Sequence, residues 1–233
     1  MLAREIDLTA GTELAVEIHD TEMKRTPRKG KPTKIVIDWS GLEATAEDYS
    51  NTRFGCHLYI DEEGDVHQFA DLWLDQVGRG GPRVDAGAIW IVLQVGVPPV
   101  GNVKRGAFLY RWGGKTHKVL GATTEQLESL AEVVILICMS LGIPLEIPEQ
   151  KKMLGEVTVA EWKGVLLASH VADTPAPGPG VLEILEESFG ELAMDEDGDE
   201  DEDEDESDDE FEGRPIAFNF EKFEVDFPDP DAG

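Results

Sequence analysis

Lys34-Ile35-Val36-Ile37-Asp38-Trp39-Ser40 is the stretch whose reading decides the fold. Ile35 to Ile37 is a short, continuous apolar run with no polar alternation. Such a strand belongs at the centre of a sheet covered on both faces. It delivers a carboxylate, Asp38, at its C-terminal end. A second run of the same kind is Ile89-Trp90-Ile91-Val92-Leu93-Gln94-Val95, and a third is Gly164 to Ala168. Three apolar strands separated by helical patterns predict a mixed α/β sheet with helices packed on it.

Outward from the first strand, Phe54-Gly55-Cys56-His57-Leu58-Tyr59-Ile60 and Val66-His67-Gln68-Phe69 flank Glu62-Glu63-Gly64-Asp65. That glycine can supply the positive φ of a hairpin turn. Residues 76–88, including Gly78, Arg79, Gly80, Gly81 and Arg83, read as a loop rich in Gly and Arg, with Arg79 and Arg83 as its candidate binding residues. Phe108–Trp112 and His117–Leu120 read as a short hairpin around Gly113-Gly114. A short helix is expected around Ala44–Tyr49 and another at Val159–Lys163.

The strongest helical pattern runs from Thr124 to Leu141. Thr123 and Gln126 fit a capping box. Leu127, Leu130, Ala131, Val134, Ile137, Cys138 and Leu141 form one apolar stripe, and Gly142 with Pro144 ends it. A further helix is expected from Val181 to about Leu192. Residues 1–22 alternate weakly, with Leu14, Val16 and Ile18 on one face, which reads as an edge strand. Met23 to Lys34 is basic and rich in Pro and Gly. It is either a patch for an anionic ligand or a solvated linker crossing to the core.

The chain has 233 residues and a formal net charge of -29, which argues against a nucleic-acid binder. The charge is uneven, since residues 195–210 hold 14 of the 49 acidic side chains. A block this dense repels itself and is expected to be disordered alone. It could mimic DNA, hold cations, dock a basic partner or act as a solubilising spacer. Beyond it, Ile216, Phe218 and Phe220 alternate, then Phe223, Val225 and Phe227 alternate after a one-residue slip. That pattern suits a bulged strand added to a sheet edge, its own or a protein partner's. No apolar run reaches the length of a membrane span, so no membrane partner is expected. Met1–Asp7 lacks the apolar core of a signal peptide, so the expectation is a chain made in the cytoplasm. Cys56 and Cys138 make neither a disulfide framework nor a metal knuckle.

Ser169-His170-Val171-Ala172-Asp173-Thr174-Pro175-Ala176-Pro177-Gly178-Pro179-Gly180 follows the third apolar strand. Three prolines and two glycines within six residues make this loop stiff and keep it out of helix or strand interior. Its histidine, read as ending the strand, is either a metal ligand or a loop residue without chemistry.

In order and spacing, these segments resemble the zinc-dependent N-acetylmuramoyl-L-alanine amidases, the type shared by phage endolysins and peptidoglycan recognition proteins. Lys34–Ile37, Gly55–Phe69, Ile89–Leu93, Thr123–Pro144 and Ser169-His170 with Pro177-Gly178-Pro179 carry the resemblance, which covers about residues 34–192. It implies a zinc ion held by three protein ligands with an open position for water. The first ligand position holds Asp38, a harder donor than histidine. The second holds His170. The third holds Ala176, which cannot bind metal, with Asp173 three residues earlier as the substitute a refolded loop would offer. The proton-transfer positions hold Cys56 and Val92, of which only Cys56 could move a proton, and a half-buried strand thiol is usually inert.

The expected architecture is therefore an N-terminal strand and basic linker at 1–33, an amidase-like domain at 34–193, an acidic spacer at 194–213 and an apolar strand arm at 214–233. The expected function is a catalytically degenerate, amidase-like protein used in binding or assembly. The resemblance implies a phage particle or a related injection machine as its setting, and peptidoglycan fragments as ligands. No cofactor is expected unless the enzyme is active, in which case it is zinc. Two alternatives stand beside this one. The first is an active zinc amidase using Asp38, His170 and Asp173. The second is an acidic nucleic-acid mimic or decoy.

Overall fold

The computed structural model describes residues 16–19, 25–41, 46, 55–96, 107–112, 115–149, 153–172, 174, 177–178 and 180–195. The strands are β1 (Val16–Ile18), β2 (Arg25–Pro27), β3 (Lys34–Gly41), β4 (Leu58–Ile60), β5 (Val66–Gln68), β6 (Asp75–Val77), β7 (Ala88–Gly96), β8 (Ala107–Trp112), β9 (Lys115–Leu120) and β10 (Gly164–Leu167). The helices are α1 (Pro82–Asp85), α2 (Thr124–Leu141), α3 (Glu156–Glu161), α4 (Ala168–Val171) and α5 (Val181–Asp195). Outside the described residues lie Asp173, Ala176, all of the helix expected around Ala44–Tyr49 except Ala46, the acidic run beyond Asp195, and the arm from Ile216 to Phe227.

The main sheet has the order β1-β5-β4-β7-β3-β10. β3, β4, β7 and β10 run parallel, and β5 lies antiparallel to β4. β1 pairs parallel to β5 as an edge strand. Two small antiparallel pairs, β2 with β6 and β8 with β9, complete the strands among the described residues. This is the mixed central sheet with flanking helices that the sequence predicts.

The all-apolar run of β3 is explained by burial on both faces. Ile35 and Ile37 pack with Leu58, Ile60, Ile89, Ile91 and Leu93 beneath α2 and α5. Val36 faces the other way with Tyr59, Phe69, Trp90, Val92 and Leu166, against Val159 of α3. Burying one such aliphatic side chain stabilises the fold by about 1.5–3 kcal/mol.

α2 begins and ends where its signals lie. Thr123 Oγ1 accepts the Gln126 N–H at 3.1 Å, and the Thr123 N–H donates to Gln126 Oε1 at 3.0 Å. Gly142 caps the C-terminus in the left-handed conformation, φ 59° and ψ 42°. The capping glutamine does a second job: its Nε2 donates to the carbonyls of Ile60 and Gln94, fixing the helix to β4 and β7. At Gly64, φ is +89°, and an added Cβ would lie 2.9 Å from the Glu125 carbonyl. The hairpin turn therefore needs glycine for its backbone angle and for close approach to α2.

Four local expectations change. β3 continues past Asp38 to Gly41, because pairing with β7 extends through Asp38, with a register irregularity after Trp39. Residues 76–88 are not all loop, since they hold the end of β6, α1 and the start of β7. His170 does not end a strand but lies in the turn of helix α4. The basic stretch ending at Lys34 is only partly a solvated linker. Arg25 pairs with Asp75 at 3.3 Å, while Lys34 is wholly buried. The Lys34 Nζ donates to the carbonyls of Val159 at 2.7 Å and Ala160 at 2.9 Å. A cation suits carbonyls at the end of a helix, which carry its negative dipole end.

Candidate functional site

One cross-strand row organises the site. Asp38 on β3 is level with Val92 on β7, Val92 with Tyr59 on β4, Tyr59 with His67 on β5, and His67 with Glu17 on β1. Residues level across neighbouring strands share a face. All five therefore belong to the face opposite α2, with Tyr59 and Val92 buried in the middle.

At the β3 end, Asp38 is held by Arg79. The Arg79 Nε–H donates to Asp38 Oδ2 at 2.7 Å, and its Nη2–H donates to the Trp39 carbonyl at 3.1 Å. The guanidinium carbon lies 5.9 Å from the centre of the Trp90 ring, within cation–π range. Asp85 of α1 supports this arrangement from behind. It accepts the Gly80 N–H at 2.8 Å, the Arg79 N–H at 3.2 Å and the Trp90 indole N–H at 3.0 Å. The loop predicted to carry a binding arginine thus directs Arg79 inward onto Asp38. Arg83 lies at the surface and pairs with Glu156 of α3.

Val92 is fully buried and offers no donor. Cys56 is also fully buried. Burial pushes its thiol pKa well up, and Asp38 adds to this while Arg79 opposes it. A thiol so placed stays protonated at neutral pH and carries no base chemistry.

His170 is buried, and its Nδ1 accepts the Leu167 N–H at 3.1 Å. Its own carbonyl accepts the Leu154 N–H at 2.8 Å. One ring nitrogen thus closes the turn from β10 into α4. Among the described residues, the three-ligand set that the sequence resemblance implies for zinc is not complete. Asp38 is paired through Oδ2 with a guanidinium and through Oδ1 with the Trp39 N–H, and Val92 and Ala176 have no donor atom.

Sequence reasoning passed over two histidines on the same face. His57 is fully buried. Its Nδ1 accepts the Trp90 N–H at 3.0 Å, and its Nε2 faces the Asp75 carbonyl at 3.1 Å and Arg28 Nη2 at 2.9 Å. Burial, aided by the Arg28 charge and opposed by the Asp75 carbonyl, lowers its pKa to about 3. It is a neutral residue linking Arg28, just after β2, to β6 and β7.

The other is His67, at the β5 end of the row. Its Nε2 lies 3.1 Å from Asp61 Oδ2 and its Nδ1 lies 3.0 Å from His19 Nε2. Glu17 Oε2 is 3.4 Å from the same Nδ1. His67 was visible in the return strand of the hairpin. Its partners were not, because residues 17 and 19 reach it only through the parallel β1–β5 pairing.

No family model matches the sequence, and no curated protein sequence matches it. Solved structures do resemble the fold. An endolysin N-acetylmuramoyl-L-alanine amidase, LysCS of Clostridium intestinale URNW, is 15% identical, covers 77% of this chain and 95% of its own, and gives a TM-score of 0.49. AmpD, in a selenomethionine derivative, is 13% identical over 81% of this chain and 99% of its own, at a TM-score of 0.48. The Drosophila peptidoglycan recognition protein SD is 12% identical over 75% of this chain and 94% of its own, at 0.44. These three are amidases and a peptidoglycan recognition protein. That is the group the sequence motifs resemble. Likeness at this level concerns fold outline and carries no argument about activity.

Proposed function

We propose that this chain is a non-hydrolysing protein of amidase-like architecture, used for binding or assembly, with peptidoglycan fragments as its ligand class. The observation that carries the reading is the Asp38–Arg79 pair at 2.7 Å. Where the resemblance implies a metal-binding cleft, the side chains are spent on contacts that hold the protein together. Val92 and the protonated Cys56 leave no base there. The setting in a phage particle or injection machine, and docking of a protein partner by the arm from Ile216 to Phe227, are further parts of the same proposal and rest on the sequence alone.

The test is incubation of the purified full chain with muropeptides, alongside co-sedimentation with insoluble peptidoglycan. Retention on peptidoglycan without release of stem peptide supports the reading. Amide cleavage that disappears in His170→Ala would overturn it in favour of a zinc amidase. Failure to co-sediment removes peptidoglycan as the ligand. Loss of a captured protein partner on deleting residues 195–233 supports the docking arm, and retention makes the tail a spacer.

A further inference from the structure

At the far edge of the sheet, three donor atoms from two chain segments converge. His19 Nε2 and His67 Nδ1 are 3.0 Å apart. Glu17 Oε2 is 3.4 Å from His67 Nδ1 and 3.8 Å from His19 Nε2. Two donors on one tetrahedral zinc, each bonded at about 2.0–2.1 Å, sit roughly 3.3–3.4 Å from each other. The triangle is already close to the size a single ion requires.

Proton placement points the same way. The Nε2–H of His67 donates to Asp61 Oδ2 at 3.1 Å. That fixes the tautomer and leaves Nδ1 as a lone pair directed at His19 and Glu17. Asp61 is itself fixed, since its Oδ1 accepts the N–H groups of Glu63 and Asp65 in the hairpin turn. His19 Nε2 and His67 Nδ1 are within hydrogen-bond distance with one proton shared between them, and a bound ion would take the place of that proton between the two nitrogens and the Glu17 carboxylate. A carboxylate on the far nitrogen of an imidazole is also how metal-binding histidines are commonly oriented.

Backbone pairing builds the site. Glu17 and His67 are register partners across β1 and β5, and the His19 N–H donates to the Gln68 carbonyl at 2.9 Å. Phe69 lies against His19, with ring centres 5.0 Å apart, and Tyr59 against His67, at 6.2 Å. These rings restrict both imidazoles. Glu17 is 68% exposed, so the remaining coordination position faces water.

We infer that Glu17, His19 and His67 form a binding site for a divalent transition-metal ion of the zinc type, with Asp61 positioning His67. Two imidazoles and one carboxylate suit zinc and its neighbours rather than calcium or magnesium. This site is not the one that the sequence resemblance implies. It lies three strands from Asp38 along the shared row, about 14–15 Å by strand spacing. An ion there would tie the short strand β1 to the sheet, since Glu17 of β1, His19 just beyond it and His67 of β5 would share it.

The full chain, stripped with chelator, would be titrated calorimetrically with zinc in excess calcium and magnesium, which occupy acidic oxygen sites such as the 195–210 run. One equivalent of zinc is expected. Cobalt in its place should give the intense visible bands of a low-coordinate site with nitrogen ligands. His19→Ala and His67→Gln should abolish this binding. The surface change Glu17→Gln, which does not disturb packing, should weaken it at least tenfold. Asp61→Asn, which keeps the turn-facing oxygen, should weaken it about 10- to 100-fold. Zinc should slow amide exchange at Ile18 and His19. Asp38→Asn and His170→Ala should bind as the parent does. Absence of zinc binding by the parent would overturn the inference and make the cluster a proton-shared histidine pair. So would binding unchanged in both Glu17→Gln and His19→Ala, or binding lost in His170→Ala alone.

Discussion

Arg79 and Asp38 meet at 2.7 Å from loop and strand, with side chains only 10% and 17% exposed. The pair lies where three elements converge. Asp38 comes from β3, Trp90 beneath the guanidinium comes from β7, and Asp85 holds the Arg79 backbone from α1. A charge pair so nearly dry is costly to break from one side, because the survivor stays buried without its counter-ion.

Arg79→Met and Asp38→Asn should therefore each destabilise the fold by about 2–4 kcal/mol. The double variant should cost clearly less than the sum. Urea unfolding of the four proteins in a double-mutant cycle measures this coupling. Additive losses would mean that the two side chains act independently.

His57 gives a pH dependence with a definite sign. Its pKa falls from 6.5 to about 3 on folding, so below pH 6.5 the unfolded chain takes up a proton that the folded chain refuses. The stabilisation is fully present above pH 6.5 and drains away as pH falls toward 3. At about 1.4 kcal/mol per unit, some 2 kcal/mol is lost by pH 5. The stability gap between the parent and His57→Gln should narrow by that amount between pH 7 and pH 5, read from urea midpoints.

Lys34 predicts a local effect on α3. Its wholly buried ammonium satisfies the Val159 and Ala160 carbonyls. Lys34→Met keeps the apolar stem and leaves both carbonyls without that donor, at a cost of about 1–3 kcal/mol. Faster amide exchange in α3 than in α2 should accompany the loss.

Gly64→Ala should cost about 1–3 kcal/mol, from the +89° φ and the 2.9 Å approach to Glu125. Gly30→Ala, also at positive φ but with open space around it, should cost less. Thermal melts of the two variants check the difference.

Much of the scaffold was legible in the sequence by itself. Unbroken apolar runs at Ile35–Ile37 and Ile89–Leu93 required strands buried on both faces. Thr123, Gln126 and Gly142 set the ends of α2 to the residue. Gly64 fixed the hairpin. These are signals carried by neighbours along the chain, within one turn or one strand of the feature they specify. The chemistry was less legible because its partners are far apart in sequence. Nothing local says that Arg79 will turn inward onto Asp38, that Lys34 will reach the carbonyls at the end of α3, or that Glu17 will lie level with His67. The last follows from the strand order β1-β5-β4-β7-β3-β10 and its register, and the other two from how the loop after β6 and helix α3 pack against that sheet. Periodicity tells a strand which face to bury but not which strand to lie beside, and only the tertiary structure supplies that neighbour.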